Sequence, residues 1–273
     1  MHLFQVGVGS GGIVVLDALA RDPRITRITL VEPDIYAAHN VHRHLFPESA
    51  VGRMKADVAV EWIKERRGDL AVEAIVADIT DSTMMAPFTE LANECDLGVC
   101  AVDNEAAKFA FDSLMRGAGK PWTLGEVLSG GIGGWIHRFN PDGPCYGCVA
   151  SHLQRNVAEE QAAPPPDYAN PDAPIDATRI PASKASIGTI ANLHAAVTLG
   201  LLEKPETETE PAFTSLLLTL ARVPGVFDDA FRTYRFRIAR SEACLICSAL
   251  PASVAGEDLD VALDQALARL GHE

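Results

Sequence analysis

The first half of the chain alternates between two periodicities. Leu3 to Val8 is an apolar run, Ile13 to Arg21 carries apolar residues at helical spacing, and Arg27 to Val31 is apolar again. Short unbroken apolar runs bounded by turn residues predict strands buried on both faces, and the periodic stretches between them predict helices that cover those faces. The alternation continues. Met54 to Arg67 sets Met54, Val58, Ala59, Trp62 and Ile63 on one helical face, Ala71 to Val76 reads as a strand and Ser82 to Ala92 as a helix. Asp96 to Val102 is a further apolar strand, and the helix after it stripes Ala107, Ala110, Phe111 and Leu114 before Gly117 and Gly119 stop it. Trp122 to Gly125 and the GGIGGWIHRF stretch add two more strands, the second predicted antiparallel. The pattern predicts an α/β fold: a doubly wound, mostly parallel Rossmann-like sheet with antiparallel strands toward the C-terminus.

The period is lost over residues 154–183, where six of the 17 prolines fall between Pro164 and Pro181. A stretch of that length without a pattern predicts a linker or a functional lid crossing the surface. Periodicity returns in Ser186 to Leu202, a helix with Ile187, Ile190, His194, Val197 and Leu201 on one face; on that face His194 reads as a core histidine rather than a catalyst. Ala212 to Ala221 and Phe231 to Ile238 read as strands, and Leu259 to Leu270 as a terminal helix.

The first strand–helix junction carries the Gly7-x-Gly9-x-x-Gly12 turn, and the second strand ends on Glu32, twenty residues after Gly12. Each glycine has a physical task in nucleotide binding: a sharp turn at Gly7, close approach of backbone to phosphate at Gly9, tight helix–sheet packing at Gly12. The free N–H groups that open the helix attract anions, and Glu32 is placed to accept from ribose hydroxyls.

Composition narrows the choice of ligands. The 273 residues carry 23 basic and 37 acidic side chains, a net charge of −14, which argues against nucleic acid and anionic membrane surfaces as partners. The hydrophobic share of 48% is enough for a full core, and the length suits one domain over 1–273. The chain enters a strand almost at once and has no apolar run long enough to span a bilayer, so a cytoplasmic protein is expected.

Four of the six cysteines form two CxxC pairs, Cys145–Cys148 and Cys244–Cys247, which can give four thiolates to a tetrahedral zinc if the fold brings the pairs together. Free thiols or a redox pair are the alternatives. Cys95 and Cys100 flank an apolar strand and are expected to be buried. Asn40, Arg43, Lys55 and Asp103 form a second constellation. Two cations and a carboxylate near a glycine turn suit triphosphate chemistry, in which cations neutralise the phosphates and the carboxylate holds Mg²⁺. The plain alternative makes Arg43 and Lys55 surface charges and Asp103 a helix cap.

In this order, GxGxxG, E-x-D, N-x-x-R, a lysine opening a helix, D-N after a strand, and P-C-x-x-C with a distant C-x-x-C, the motifs resemble the ThiF/MoeB superfamily, which includes the ubiquitin-activating enzymes. The resemblance implies an adenylyltransferase that uses ATP and Mg²⁺ to activate the C-terminal carboxylate of a small ubiquitin-like or sulfur-carrier protein or a peptide, releasing pyrophosphate. It implies catalytic roles for Arg43, Lys55 and Asp103. Gly9 and Gly12 would lie under the phosphates, Glu32 at the ribose, Asn40, Arg43 and Lys55 on the phosphates and Asp103 on magnesium, with Gly7, Asp34 and Asn104 completing the nucleotide set. Cys145, Cys148, Cys244 and Cys247 match the family's zinc site, and the Pro-rich stretch matches its crossover loop. A homodimer, or a heterodimer with a homologue, is also implied.

The sequence departs from the family in places. N-x-N-R-Q is here Asn40-Val41-His42-Arg43-His44, and Lys108 stands for the usual arginine after D-N. The helix that in many members precedes the first strand and lends an arginine to the neighbouring subunit has no counterpart ahead of Leu3. Those departures support a second reading, a catalytically inactive subunit paired with an active homologue. The glycine motif and acid alone support a third, an NAD-dependent oxidoreductase, which leaves Arg43, Lys55 and the cysteine pairs without roles. No cysteine lies between Cys148 and Cys244, where thioester-forming members keep theirs, so the expected reaction stops at the acyl-adenylate.

Overall fold

The structure, a computed structural model, describes residues 1–153, 182–202 and 213–248. The Pro-rich stretch over 154–181 and the terminal helix expected at Leu259 to Leu270 lie outside them. Eight strands form one sheet: β1 (His2–Val6), β2 (Arg27–Val31), β3 (Ala71–Ile75), β4 (Leu97–Cys100), β5 (Trp122–Val127), β6 (Gly133–Phe139), β7 (Ser215–Thr219) and β8 (Thr233–Phe236). Their order is β3-β2-β1-β4-β5-β6-β7-β8. The first five run parallel, and β6, β7 and β8 pair antiparallel. The helices are α1 (Gly12–Ala20), α2 (Lys55–Lys64), α3 (Met85–Glu94), α4 (Glu105–Gly117), α5 (Tyr146–His152) and α6 (Lys184–Gly200).

Successive residues of β1 face opposite layers, so Leu3 joins one core and Phe4 the other. The Leu3 side packs under α1, α2 and α6, where Ile13, Leu16, Leu19, Val58, Ile63 and Ala195 are buried. The Phe4 side packs under α3, α4 and α5, with Phe88, Phe111, Met115 and Tyr146 buried. Trp122 stacks on Phe139 across the β5–β6 pair at 4.0 Å and meets the edge of the Phe111 ring at 5.5 Å. Such aromatic pairs add about 0.5–1.5 kcal/mol each beyond burial of area.

The expected elements are present with shifted ends. β1 stops at Val6 rather than Val8 because Gly7, at φ +89°, turns the chain there. The Asp96–Val102 strand shortens to β4, and the Met54–Arg67 helix to α2. The Ser82–Ala92 helix divides: Asp81 caps a 3-10 turn over Ser82–Met84, accepting from the Thr83 N–H, and α3 follows. The Trp122–Gly125 strand runs on to Val127. α6 starts at Lys184, two residues before Ser186, since Ser183 caps it by accepting from the Ser186 N–H. The last two strands shorten to β7 and β8. α5, only seven residues long, had no counterpart in the sequence pattern. No helix of the described residues is long and apolar enough to cross a membrane.

After β3 the chain crosses to the other side of β1, making the β1–β4 boundary the switch point of the sheet. Connections leave in opposite directions there, and a crevice opens beyond the strand ends. Val6 and Cys100 are register partners, so Gly7 follows one strand and Ala101 to Asp103 the other into that crevice.

Candidate active site

The glycine turn is fixed from several sides. A Cβ on Gly7 would lie 2.6 Å from the Ala101 carbonyl oxygen, and one on Gly12 only 2.3 Å from the Gly7 carbonyl oxygen. Gly9 faces open space, with nothing within 4 Å of its would-be Cβ. Two glycines therefore serve packing, and the third leaves room beside the turn. Gln5 donates through Nε2 to the carbonyls of Gly7 and Gly12.

Glu32 sits beneath the turn, 5% exposed, its carboxylate accepting from the Val8 N–H at 2.6 Å and the Asp34 N–H at 3.0 Å. Burial raises its pKa, against the opposing pull of the Lys55 charge and the Val8 N–H. A carboxylate has about four lone-pair sites, so two backbone bonds leave capacity for ribose hydroxyls.

The segment from Asp34 to Met54 folds back on itself. Ile35 bridges Met54, the Tyr36 N–H donates to Arg53, and the Tyr36 hydroxyl donates to the Phe46 carbonyl. Tyr36, His44 and Phe46 pack ring against ring, with Trp62 beyond. That clamp holds the short helical turn bearing Asn40, whose Oδ1 accepts from the Ala37 N–H, and sets Arg43 one turn on. His44, in the position of the family's glutamine, ties this segment to the glycine turn. Its Nδ1 accepts from the Phe46 N–H, so its Nε2–H donates to the Val8 carbonyl at 3.0 Å. Burial lowers its pKa to about 4, so the ring is neutral at neutral pH. His42 is exposed.

Lys55 opens α2 as expected, but it is buried rather than a surface charge, and its ammonium pairs with Asp34 at 2.7 Å. On the β4 side, Asn104 caps α4 by accepting from the Ala107 N–H. Asp103 is therefore not the cap; it is exposed, and its carboxylate has no partner among the described residues. Gly7, Gly9, Gly12, Glu32, Asp34, Asn40, Arg43, Lys55, Asp103 and Asn104 all line one cleft of about 700 Å³.

On the far wall of that cleft stand Lys108, which replaces the family's arginine, and Glu126, whose pairing was not read from the sequence. Lys108 donates to Glu105 at 2.5 Å and Glu126 at 2.6 Å, and the Tyr146 hydroxyl donates to Glu105. Burial lowers the Lys108 pKa, but the two carboxylates outweigh it and the net shift is upward. Glu126 also meets the His137 ring at 3.2 Å. His194 is buried, as its helical face suggested, and bonds the Thr123 hydroxyl, yet it also lines the cleft. Pairing between Lys108 and Glu126, eighteen residues apart on different elements, leaves no local signature in the sequence.

A second centre lies beside the antiparallel strands. Cys145 and Cys148 begin α5, while Cys244 and Cys247 come from a turn after β8. All four sulfurs lie within 4.8 Å of one another; neighbouring pairs stand at 3.5–3.7 Å, and all four are buried. Zn–S bonds of about 2.3 Å in a tetrahedron separate sulfurs by about 3.8 Å, so the cluster fits a metal. The Ser241 N–H points at Cys148 Sγ from 3.4 Å. Cys95 and Cys100 are buried as expected, and burial raises their thiols to about 11 and about 12.

A doubly wound sheet with a glycine turn at its switch point, antiparallel strands at one edge and a four-cysteine cluster beside them defines an E1-like α/β protein. The chain belongs to the ThiF family, whose sequence model matches residues 1–230. Among curated relatives, the SAMP-activating enzyme E1 of Haloferax volcanii is 26% identical over 145 residues, 53% of this chain and 51% of that protein. The adenylyltransferase and sulfurtransferase uba4 of Aspergillus niger is 26% identical over 261 residues, 89% of this chain and 47% of that one. The chain thus matches only about half the length of these two relatives. A crystal structure of E. coli MccB with ATP superposes with a TM-score of 0.61 at 18% identity, covering 90% of this chain and 66% of that one, which shows a shared fold.

Proposed function

We propose that this protein adenylates the C-terminal carboxylate of a small ubiquitin-like or sulfur-carrier protein or a peptide, using ATP and Mg²⁺. The observation that carries the reading is the convergence of the glycine turn, Glu32, Arg43, Lys55 and Asp103 on one cleft. ATP lies with its phosphates against the turn and the N-terminal N–H groups of α1, and its ribose near Glu32. Arg43 and Lys55 neutralise the phosphates; Lys55 exchanges Asp34 for them as the nucleotide enters. Asp103, whose carboxylate has no partner among the described residues, would hold Mg²⁺, and the ion would supply positive charge against the charge that develops on the phosphates.

The partner's carboxylate oxygen attacks the α-phosphorus, the bond to the bridging α,β oxygen breaks, and pyrophosphate leaves with that electron pair. A mixed anhydride remains. The chain's own residues position these groups and stabilise charge rather than form a bond themselves. Cys95 and Cys100 are too basic and too buried to capture the acyl group, and the other four described thiols form the metal-sized cluster. We therefore assign the next step to an outside nucleophile. Zinc is the proposed occupant of the cluster, and the working assembly a dimer.

ATP–pyrophosphate exchange with candidate partner proteins tests the reading. Partner-dependent exchange is expected, with no thiol-sensitive adduct on a non-reducing gel. Tight NAD binding with no ATP binding in calorimetry would replace this reading with the oxidoreductase one.

A further inference from the structure

One stripe of α6 runs along the cleft: Ile187, Ala191 and His194 line it at helical spacing. Lys184 precedes Ile187 by three residues and stands on the same stripe, one turn nearer the helix start. Helical side chains lean toward the N-terminus, so the lysine stem leads out toward the segment bearing Arg43 and His44. Its charge is felt at His44, whose ring donates to the Val8 carbonyl within the glycine turn. Ile187 lies 3.6 Å from the position a Cβ on Gly11 would take. Ile187, one turn after Lys184, thus brings this end of α6 against the glycine turn.

The three lysines around this cleft differ in one respect. Lys55 pairs with Asp34, and Lys108 is held between Glu105 and Glu126. Lys184 Nζ is shielded from solvent and has no hydrogen-bond or ionic partner among the described residues. Burial lowers its pKa, and no carboxylate of the described residues offsets that. A shielded ammonium without a counter-charge is unfavourable, and an anion is what relieves it. The side chain is not itself part of the cleft wall, but its neighbours Ala182 and Ile187 are, and the role inferred below requires a rotamer change along its flexible four-carbon stem.

We propose that Lys184 is a further nucleotide-contacting residue, its ammonium pairing with β- and γ-phosphate oxygens and neutralising pyrophosphate as it leaves. The proposal rests on the adenylation reading. The lysine stays protonated throughout; the electron pair of the breaking P–O bond goes to the pyrophosphate whose charge it offsets. None of the residues assigned from the sequence motifs lies on α6.

Calorimetry of the full chain with ATP, AMP and pyrophosphate, on wild type, Lys184→Met and Lys184→Arg, tests it. Lys184→Met is expected to weaken ATP and pyrophosphate at least tenfold while AMP stays within twofold, and Lys184→Arg to recover most of the loss. The ligand-free Lys184→Met protein should melt at or above the wild-type temperature, because an uncompensated charge has gone. Wild type that binds neither ATP nor pyrophosphate would overturn the adenylation reading itself. Wild type that binds both, with unchanged affinity in Lys184→Met or with equal losses for ATP and AMP, would overturn the role of Lys184 alone.

Discussion

The cleft and the thiol cluster lie on the two halves of the sheet and are assembled in different ways. The cleft draws on segments that leave the ends of parallel strands. Its position is set by the β1–β4 register and its shape by backbone contacts such as Gly12 against Gly7. The cluster joins the start of α5 to the turn after β8, 99 residues apart in sequence. Little apolar packing supports its second half: between Cys244 and Cys247, Leu245 is 86% and Ile246 53% exposed. Sheet topology makes the first site, whereas the proposed zinc would have to hold the second together.

Removing the proposed zinc should therefore produce the largest effect and confine it to one half. Structural zinc in small sites carries apparent binding energies of about 10–16 kcal/mol, part of which is folding energy. Stripping metal from the purified protein, or changing Cys145→Ser, is expected to lower Tm by roughly 10 °C or more, taking several kcal/mol at about 2–4 °C each. Amide exchange should rise in β8, in α5 and around Cys244, while β1, β2 and β4 stay protected and ATP affinity changes less than threefold. Equal loss of protection in both halves would erase the distinction.

The glycine turn allows a sharper division within the cleft. Gly12→Ala drives a Cβ to 2.3 Å from a backbone oxygen that cannot move freely, so α1 must shift off the sheet. Overpacking of this kind costs about 1–3 kcal/mol, and ATP affinity should fall at least tenfold with metal content intact. Gly9→Ala meets nothing within 4 Å; its Tm should match wild type within about 1 °C, while ATP binding still weakens because the methyl occupies the space left beside the turn. Thermal melts paired with calorimetry on the two variants decide this. A destabilised Gly9→Ala would place that residue among the packing glycines.

The same division explains what was legible in the sequence. Parallel strands buried on both faces announce themselves as apolar runs, and the glycine turn, Glu32, Lys55 and Asp103 fall at strand or helix ends that the runs locate. Cys145, Cys148, Cys244 and Cys247 were readable as pairs, though their meeting depends on α5 and the turn after β8, and α5 is too short to carry a period. Lys55 and Asp103 were each open to a plain structural reading. Only the folded arrangement shows Lys55 buried on Asp34 and the capping of α4 taken by Asn104. The Lys108–Glu126 pair and the ammonium of Lys184, unpartnered among the described residues, are properties of packing between distant elements, and no residue spacing encodes them.

The smallest expected effect concerns His44, which links the cleft segment to the turn. Burial lowers its pKa from 6.5 to about 4, and that of His194 to about 3. Between pH 6.5 and 4 the unfolded chain therefore binds protons that the folded chain refuses. Stability from these two rings is fully present above pH 6.5 and falls as the pH drops through that window, by up to about 1.4 kcal/mol per pH unit for each ring. Glu32 acts in the opposite direction, since burial raises its pKa, and the thiolates of a loaded metal site add their own acid sensitivity. Both contributions cancel when His44→Gln is compared with wild type at each pH. The glutamine amide keeps a donor for the Val8 carbonyl and an acceptor for the Phe46 N–H, so at pH 7.5 the variant should lie within about 1 kcal/mol of wild type. By pH 5 it should gain about 1–2 kcal/mol relative to wild type, because one of the two proton-refusing rings is gone. Urea melts at both pH values measure the difference. Parallel stability–pH curves for the two proteins would mean that His44 titrates in the folded state as it does in the unfolded one, and that the ring does not clamp the Arg43 segment to the turn.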